Sequence, residues 1–236
     1  SSPFLRQQRA KCRIVPLSVD AARFTDVSPE AVAAIRRRFA PNAQDCLLLA
    51  VGVLRYYKGL HTLLDALTQI DATLVVVGAG PEERQLRDLA HAFGVARRVA
   101  FVGRVADADL PTYYRAADAF VLASQLRAEA FGIVQLEAMA AGVPVVCTEL
   151  GTGTSVVNQH GITGFVVPPG DPLALARAIR VLLENPELRQ RMGVQAQQRV
   201  VTEFTHERMI ERTLAVYDEA LEARQLSGPL RKVIGS

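Results

Sequence analysis

Between Cys46 and Cys147 the chain repeats one unit: a short, unbroken apolar run, a loop rich in glycine, and an amphipathic stretch. The apolar runs cover residues 46–51, 73–77, 99–102, 119–122 and 145–147. Each is too short for a core helix and too uniformly apolar for a strand with one wet face, so each reads as a strand buried on both sides. The stretches between them carry apolar residues at helical spacing, as in Leu60, Leu63, Leu64 and Leu67, and again in residues 82–93 and about 109–117. Strands alternating with such helices predict an α/β fold, a doubly wound parallel sheet with helices on both faces.

Sheets of that kind bind ligands outside the carboxyl ends of their strands. Those ends carry residues 52–59, 78–80, 103–104, 124–132 and 148–153, so five loops rich in glycine and polar residues converge on one edge. The most informative of them runs from Glu129 through Phe131-Gly132 into a helix with Ile133, Leu136 and Ala140 at helical spacing. Gly142 ends that helix, Val143-Pro144 turns the chain, and the fifth strand follows. Glu129 precedes the helix and Glu137 lies within its first two turns. Two readings fit these acids. Acids near a helix start are favoured by the helix dipole alone. Alternatively, the free N–H groups of the helix bind an anion, and the acids bind hydroxyls of the same ligand. A nucleotide sugar has both features.

Composition narrows the field. Half of the 236 residues are hydrophobic, enough for a sizeable core without staples. A net charge of +3, with five Tyr, nine Phe and no Trp, argues against a nucleic-acid binder. Cys12, Cys46 and Cys147 show no metal-ligand spacing and read as reduced, buried thiols of a cytoplasmic protein. No apolar run approaches membrane-spanning length. The opening residues 1–11 lack the apolar core of a signal peptide and read as the interior of something longer.

Outside the repeat, residues 14–20 are apolar but broken by Pro16, which predicts an edge strand and a turn. Ser28-Pro29-Glu30 predicts a helix start. The Arg36-Arg37-Arg38 run at its far end reads as a solvated terminus favoured by the dipole. Residues 161–171 predict a turn, a short strand and a helix start. Helices are expected over 172–184, 186–203 and about 205–224, then a polar tail over 226–236. Residues 1–225 thus make one domain with a core of about 14–217.

Taken together, Lys58-Gly59, Val77-Gly78-Ala79-Gly80-Pro81, Phe101-Val102-Gly103, Glu129 to Glu137 with seven residues between, Ala138 to Val146 and Gly161 to Asp171 resemble one family. It is the retaining glycosyltransferases of family 4, and the likeness is to their C-terminal, nucleotide-sugar-binding half. The resemblance implies a Rossmann-like domain, the C-terminal half of a GT-B fold, whose N-terminal acceptor-binding domain is absent here. It implies transfer of a hexose, mannose from GDP-mannose as the first choice, to a glycan or lipid-linked hydroxyl in polysaccharide biosynthesis. Neither a metal nor another cofactor is implied, and this half alone should be inactive.

The same resemblance distributes roles. Lys58 would hold the leaving diphosphate, with Arg55 sharing that task. Glu129 would bind sugar hydroxyls, and the N–H groups of Phe131, Gly132 and Ile133 would approach the phosphates. Glu137 would grip the ribose, and Gly103, Arg104 and Val105 would meet the base, beside the glycines Gly52, Gly78 and Gly80. Arg104 fits a surface cap equally well. Two positions depart from the family pattern. Val53 stands where many members have arginine, and hydroxyls occupy the 151–155 loop where relatives often place an acid. None of His61, His91, His160 and His206 matches the family's histidine.

Rival readings remain. Gly78-Ala-Gly80 opening a helix resembles a dinucleotide fingerprint, but the third glycine and the ribose-binding acid are missing, which disfavours an NAD(P)-dependent oxidoreductase. Asp107 and Asp109 would suit a metal-dependent transferase, yet capping of the next helix explains them more simply. A non-catalytic nucleotide-sugar-binding module stays open, as do sugar-nucleotide epimerases and glycogen-synthase-like enzymes. The expected location is cytoplasmic, with at most peripheral contact at the inner membrane face.

Overall fold

The computed structural model describes residues 7–226. The tail expected over 226–236 lies outside the described residues apart from Leu226, which ends the last helix. Six strands form one sheet in the order β3-β2-β1-β4-β5-β6. They are β1 (Leu47–Val51), β2 (Thr73–Val77), β3 (Val99–Gly103), β4 (Ala119–Leu122), β5 (Val145–Thr148) and β6 (Gly164–Val167). Every neighbouring pair is parallel.

Ten α-helices accompany the strands among the described residues: α1 (Ala22–Thr25), α2 (Pro29–Phe39), α3 (Leu60–Ala66), α4 (Glu83–Ala92), α5 (Leu110–Ala116), α6 (Ile133–Ala140), α7 (Thr154–Val157), α8 (Pro172–Glu184), α9 (Pro186–Glu203) and α10 (His206–Leu226). Side chains alternate across a strand, and here both sides are covered. Leu48, Ala50, Leu74 and Val76 face α3, α4 and α8. Leu47, Leu49, Val75 and Phe120 face α2, α5, α6 and α9. This double burial is why the strands are apolar throughout. Each fully buried leucine contributes about 1.5–3 kcal/mol of transfer free energy.

Local signals set the helix ends. The Ser28 side chain accepts from Ala31 N at 3.3 Å, and Asp171 accepts from Ala174 N at 2.8 Å. Each occupies the cap of a helix that begins with proline. Gly142, at φ 74°, ends α6 as expected.

Three expectations are corrected. Residues 14–20 form no strand: Pro16 offers no donor, Ile14 is 91% exposed, and Val19 N instead bonds Phe204 O at 2.9 Å. The edges of the sheet are β3 and β6. Arg36 is not a solvated helix end. It donates to Asp118 Oδ2 at 2.7 Å, to Ala116 O at 3.1 Å and to Asp45 O at 2.9 Å. Asp118 also accepts from Leu47 N at 2.7 Å, so one ionic cluster ties α2, β1 and the end of α5 together. Cys12 is exposed, not buried; Cys147 alone of the three is fully buried. Residues 151–155 carry hydroxyls and no acid, as read from the sequence, and the preceding Glu149 braces them: its Oε1 accepts from Gly151 N at 2.7 Å and Ser155 Oγ at 2.9 Å.

Candidate functional site: a cleft at the strand-order reversal

Strand order reverses between β1 and β4, which pair in parallel through Leu48–Ala119 and Leu49–Phe120. Chains leaving those two strands must part to opposite sides, which opens a crevice at their carboxyl ends. After β1 the chain forms a single 3-10 turn, Tyr56–Lys58, closed by Gly59 in the left-handed region. After β4 it forms the Ser124–Glu129 loop. Gln125 binds the two loops together: its backbone N donates to Tyr57 O at 2.8 Å, and its side chain contacts Thr62 Oγ1 and, at 3.1 Å, His61 Nε2. His61 in turn stacks on Tyr56, so it is a packing residue here.

This stitching delivers Lys58 to Glu129. The Lys58 ammonium donates to Glu129 Oε2 at 2.5 Å, with both side chains largely buried. Ser124 Oγ donates to the same oxygen at 3.0 Å, and Thr152 Oγ1 donates to Glu129 O at 2.9 Å. The acid is therefore held through side chain and backbone, and among the described residues no hydrogen bond reaches Oε1. Sequence reading had separate tasks for Lys58 and Glu129; the structure makes them one ion pair. Arg55, by contrast, is exposed and lies outside that pair.

Glu129 leads into α6. Gly132 occupies its cap at φ 72°, a conformation a side chain would strain, and a Cβ there would lie 2.7 Å from Leu122 Cδ2. Cap and helix leave the Ile133 and Val134 N–H groups without protein acceptors among the described residues. Ile133 itself is exposed, while Phe131 is half-buried and meets Phe204 edge-on.

One helical turn further on, Glu137 accepts from the Tyr114 hydroxyl at 2.6 Å. Burial pushes the Glu137 carboxyl above the usual range, and nearby Asp107 pushes the same way; the Tyr114 bond and Arg23 pull it back. The Tyr114 phenol is raised well above its ordinary value, first by its own burial and then by the Glu137 charge.

The loops after β1, β2 and β3 form the other wall. Gly52 N donates to Val77 O at 3.0 Å, Leu54 N to Ala79 O at 3.1 Å, and Gly78 N to Gly103 O at 2.7 Å. Backbones approach so closely that a Cβ on Gly78 would lie 2.0 Å from Gly52 O, and one on Gly80 2.3 Å from Leu54 O. Inter-loop packing thus requires these two glycines before any ligand is considered. Gly52, Val53, Gly78, Arg104, Val105 and Asp107 line the open cleft. Arg104 is exposed there. Asp109 occupies the cap of α5 without a side-chain bond to the helix, and Asp107 faces the cleft, so the capping explanation of these aspartates is withdrawn. Among the described residues no three His, Cys, Asp or Glu side chains come together as a metal site.

Ser124, Gln125, Tyr114 and Thr152 escaped sequence reading. Two of them carried a signal: Ser124 as the first polar residue beyond the apolar β4, after Ala123, and Thr152 as one of the hydroxyls of the 151–155 loop.

The model of glycosyl transferases group 1 matches residues 32–199, a span that includes every element of this cleft. The chain belongs to that family. It is 42% identical over 205 residues to the D-rhamnosyltransferase WbpZ of Pseudomonas aeruginosa, covering 87% of this chain and 52% of WbpZ. Against the O-antigen chain mannosyltransferase C of Escherichia coli, identity is 35% over 224 residues, covering 95% of this chain and 59% of the relative. The chain thus spans between half and three-fifths of the length of these relatives. Its fold superposes on sucrose-phosphate synthase from Thermosynechococcus elongatus with a TM-score of 0.79 at 30% identity, covering 93% of this chain and 56% of that one. It superposes on Anabaena HepE, solved with UDP and glucose, with a TM-score of 0.75 at 25% identity, covering 87% and 55%. The doubly wound, Rossmann-like sheet expected from the sequence is that of these GT-B neighbours. No helix among the described residues is long and apolar enough to cross a membrane.

Proposed function

We propose that this chain is the nucleotide-sugar-binding half of a retaining, family 4 glycosyltransferase that needs no metal. It would transfer a hexose, mannose from GDP-mannose as the first choice, to a hydroxyl of a glycan or lipid-linked acceptor. The observation that carries this reading is the Lys58–Glu129 pair, set at the strand-order reversal beside the α6 N-terminus. A cation, an acceptor carboxylate and free N–H groups in one crevice match a ligand with a diphosphate at one end and hydroxyls at the other. Relatives named for transfer of mannose and rhamnose support the sugar class.

In this reading the diphosphate lies against the Ile133 and Val134 amides with Lys58 above it, and Arg55 reaches in from the exposed side. Glu129 Oε1 accepts from sugar hydroxyls, Glu137 from the ribose, and the base stacks along Gly103–Val105. The acceptor oxygen attacks the anomeric carbon on the face from which the diphosphate departs. The bond from that carbon to the phosphate oxygen breaks, and the acceptor proton passes to the departing phosphate. Lys58 and the α6 amides stabilise the negative charge that develops there, the electrostatic contribution that dominates many transfers. Acceptor binding falls to the remainder of the protein, so this half binds donor and transfers poorly alone.

The test is to incubate the whole protein with GDP-mannose, UDP-glucose and ADP-glucose, with and without chelator, and to follow the anomeric protons of the product by NMR. Transfer from one donor with retained configuration, undiminished by chelator, is the expected result. An inverted product, or transfer abolished by chelator, would contradict it.

A further inference from the structure

Tyr114 lies wholly inside the protein, with no surface of its own in the cleft. Its ring packs edge-on against Phe24 and tilted against Phe120, both at 5.6 Å between centroids. Phe24 sits on α1, Phe120 on β4 and Tyr114 on α5, so three elements fix the ring. Its hydroxyl donates to Glu137 Oε2 at 2.6 Å, the one hydrogen bond it makes among the described residues. No other hydrogen bond from a described residue reaches the Glu137 carboxylate. A half-buried carboxylate on a helix has several rotamers open to it, and one donor from an immobile ring selects among them.

We propose that Tyr114 is a positioning residue for nucleotide recognition: it clamps Glu137 Oε2 and so presents Oε1 as an oriented acceptor for a ribose hydroxyl. The proposal rests on the reading of Glu137 as the ribose-binding acid. It also corrects that reading, since only Oε1 is wholly free for the ligand. Oε2 keeps one lone pair beside the phenol.

The phenol has a second effect. Ribose hydroxyls need an acceptor, and a carboxyl accepts fully only when ionised. Burial and Asp107, from the loop before α5, favour the neutral form; Tyr114 from α5 and Arg23 from α1 favour the charged one. Removing the phenolic hydroxyl therefore raises the Glu137 pKa further. Binding lost as pH falls is then lost from a higher pH.

Tyr114→Phe keeps the ring and its neighbours and deletes only the donor. The probe is whichever of GDP, UDP and ADP binds the chain most tightly, compared with its 2′,3′-dideoxy counterpart by calorimetry between pH 5 and 8. Tyr114→Phe is expected to weaken the ribonucleotide about tenfold, as loss of a hydrogen bond to a charged group does. It should leave the dideoxynucleotide unchanged and move the acidic limb of the pH profile upward. In a Glu137→Gln background the same substitution should add no further loss. Equal weakening of both nucleotides, or a further loss in that background, would mean that Tyr114 merely supports the fold, and the proposal would fail. Wild-type protein that binds both nucleotides equally would instead refute the ribose role of Glu137, and this proposal with it.

Discussion

Lys58 Nζ and Glu129 Oε2 are 2.5 Å apart although the residues are 71 positions apart in the chain. Adjacent parallel strands at the sheet's reversal point, β1 and β4, bring them together. The pair is largely buried, and each partner offsets the desolvation cost of the other. Removing one partner of such a pair leaves a stranded charge, which costs about 3–5 kcal/mol in general.

Lys58→Met should therefore destabilise the ligand-free chain by about 3–5 kcal/mol, read from urea unfolding. Adding Glu129→Gln should recover part of that loss, because no unpaired charge remains. A double mutant less stable than Lys58→Met would show that the two side chains are not coupled in this way.

Asp118 is a structural acid, distant from the ligand chemistry. It accepts from Arg36 at 2.7 Å and Leu47 N at 2.7 Å, and pairs with Arg189 at 3.3 Å. Asp118→Asn keeps the shape but removes the charge that two guanidinium groups face. We expect a loss of about 2–3 kcal/mol in unfolding free energy and unchanged nucleotide affinity per folded molecule. A large affinity change with intact stability would reverse this assignment.

Gly78 separates packing from ligand binding. At φ 130°, and with Gly52 O 2.0 Å from where a Cβ would stand, Gly78→Ala must push the β1 and β2 loops apart. A loss of about 2–4 kcal/mol is expected, together with weakened binding of any ligand in the cleft. Wild-type thermal stability in this variant would contradict the close approach.

Burial pushes the Cys147 thiol from 9.0 up to about 12, while Cys12 is exposed. At pH 8 a disulfide reagent should label Cys12 rapidly and Cys147 only on unfolding. The buried thiol favours its neutral form. Its contribution to stability is thus complete below about pH 9 and is lost as pH rises from there toward about 12. Labelling of Cys147 at the same rate as Cys12 in folded protein would contradict its burial.

Sheet and helices were legible in the sequence wherever a signal was local and periodic. Thr73–Val77 is apolar at every buried position, and Asp171-Pro172 announces α8 by cap chemistry alone. Residues 14–20 misled because Pro16 offers no donor and Val19 N bonds Phe204 O, at the end of α9, instead of an edge strand. Arg36 misled because a dipole argument sees one helix, whereas Asp118 approaches from another element 82 positions away. In the candidate site, Lys58, Glu129 and Glu137 stood out by family likeness, the first two also by position in loops at strand ends and Glu137 by its place near the start of α6. Their partners did not. Tyr114 reads in sequence as one more core aromatic, and its relation to Glu137 exists only once α5 and α6 are packed side by side.

The most direct test of the donor-binding account is a calorimetric titration of this chain with GDP, UDP and ADP, repeated with chelator present. The account predicts that one of the three binds, that chelator leaves its affinity intact, and that Lys58→Ala and Glu137→Ala each weaken it at least tenfold, the scale of one hydrogen bond to a charged group. Binding that vanishes with chelator, or that survives both substitutions unchanged, would contradict it.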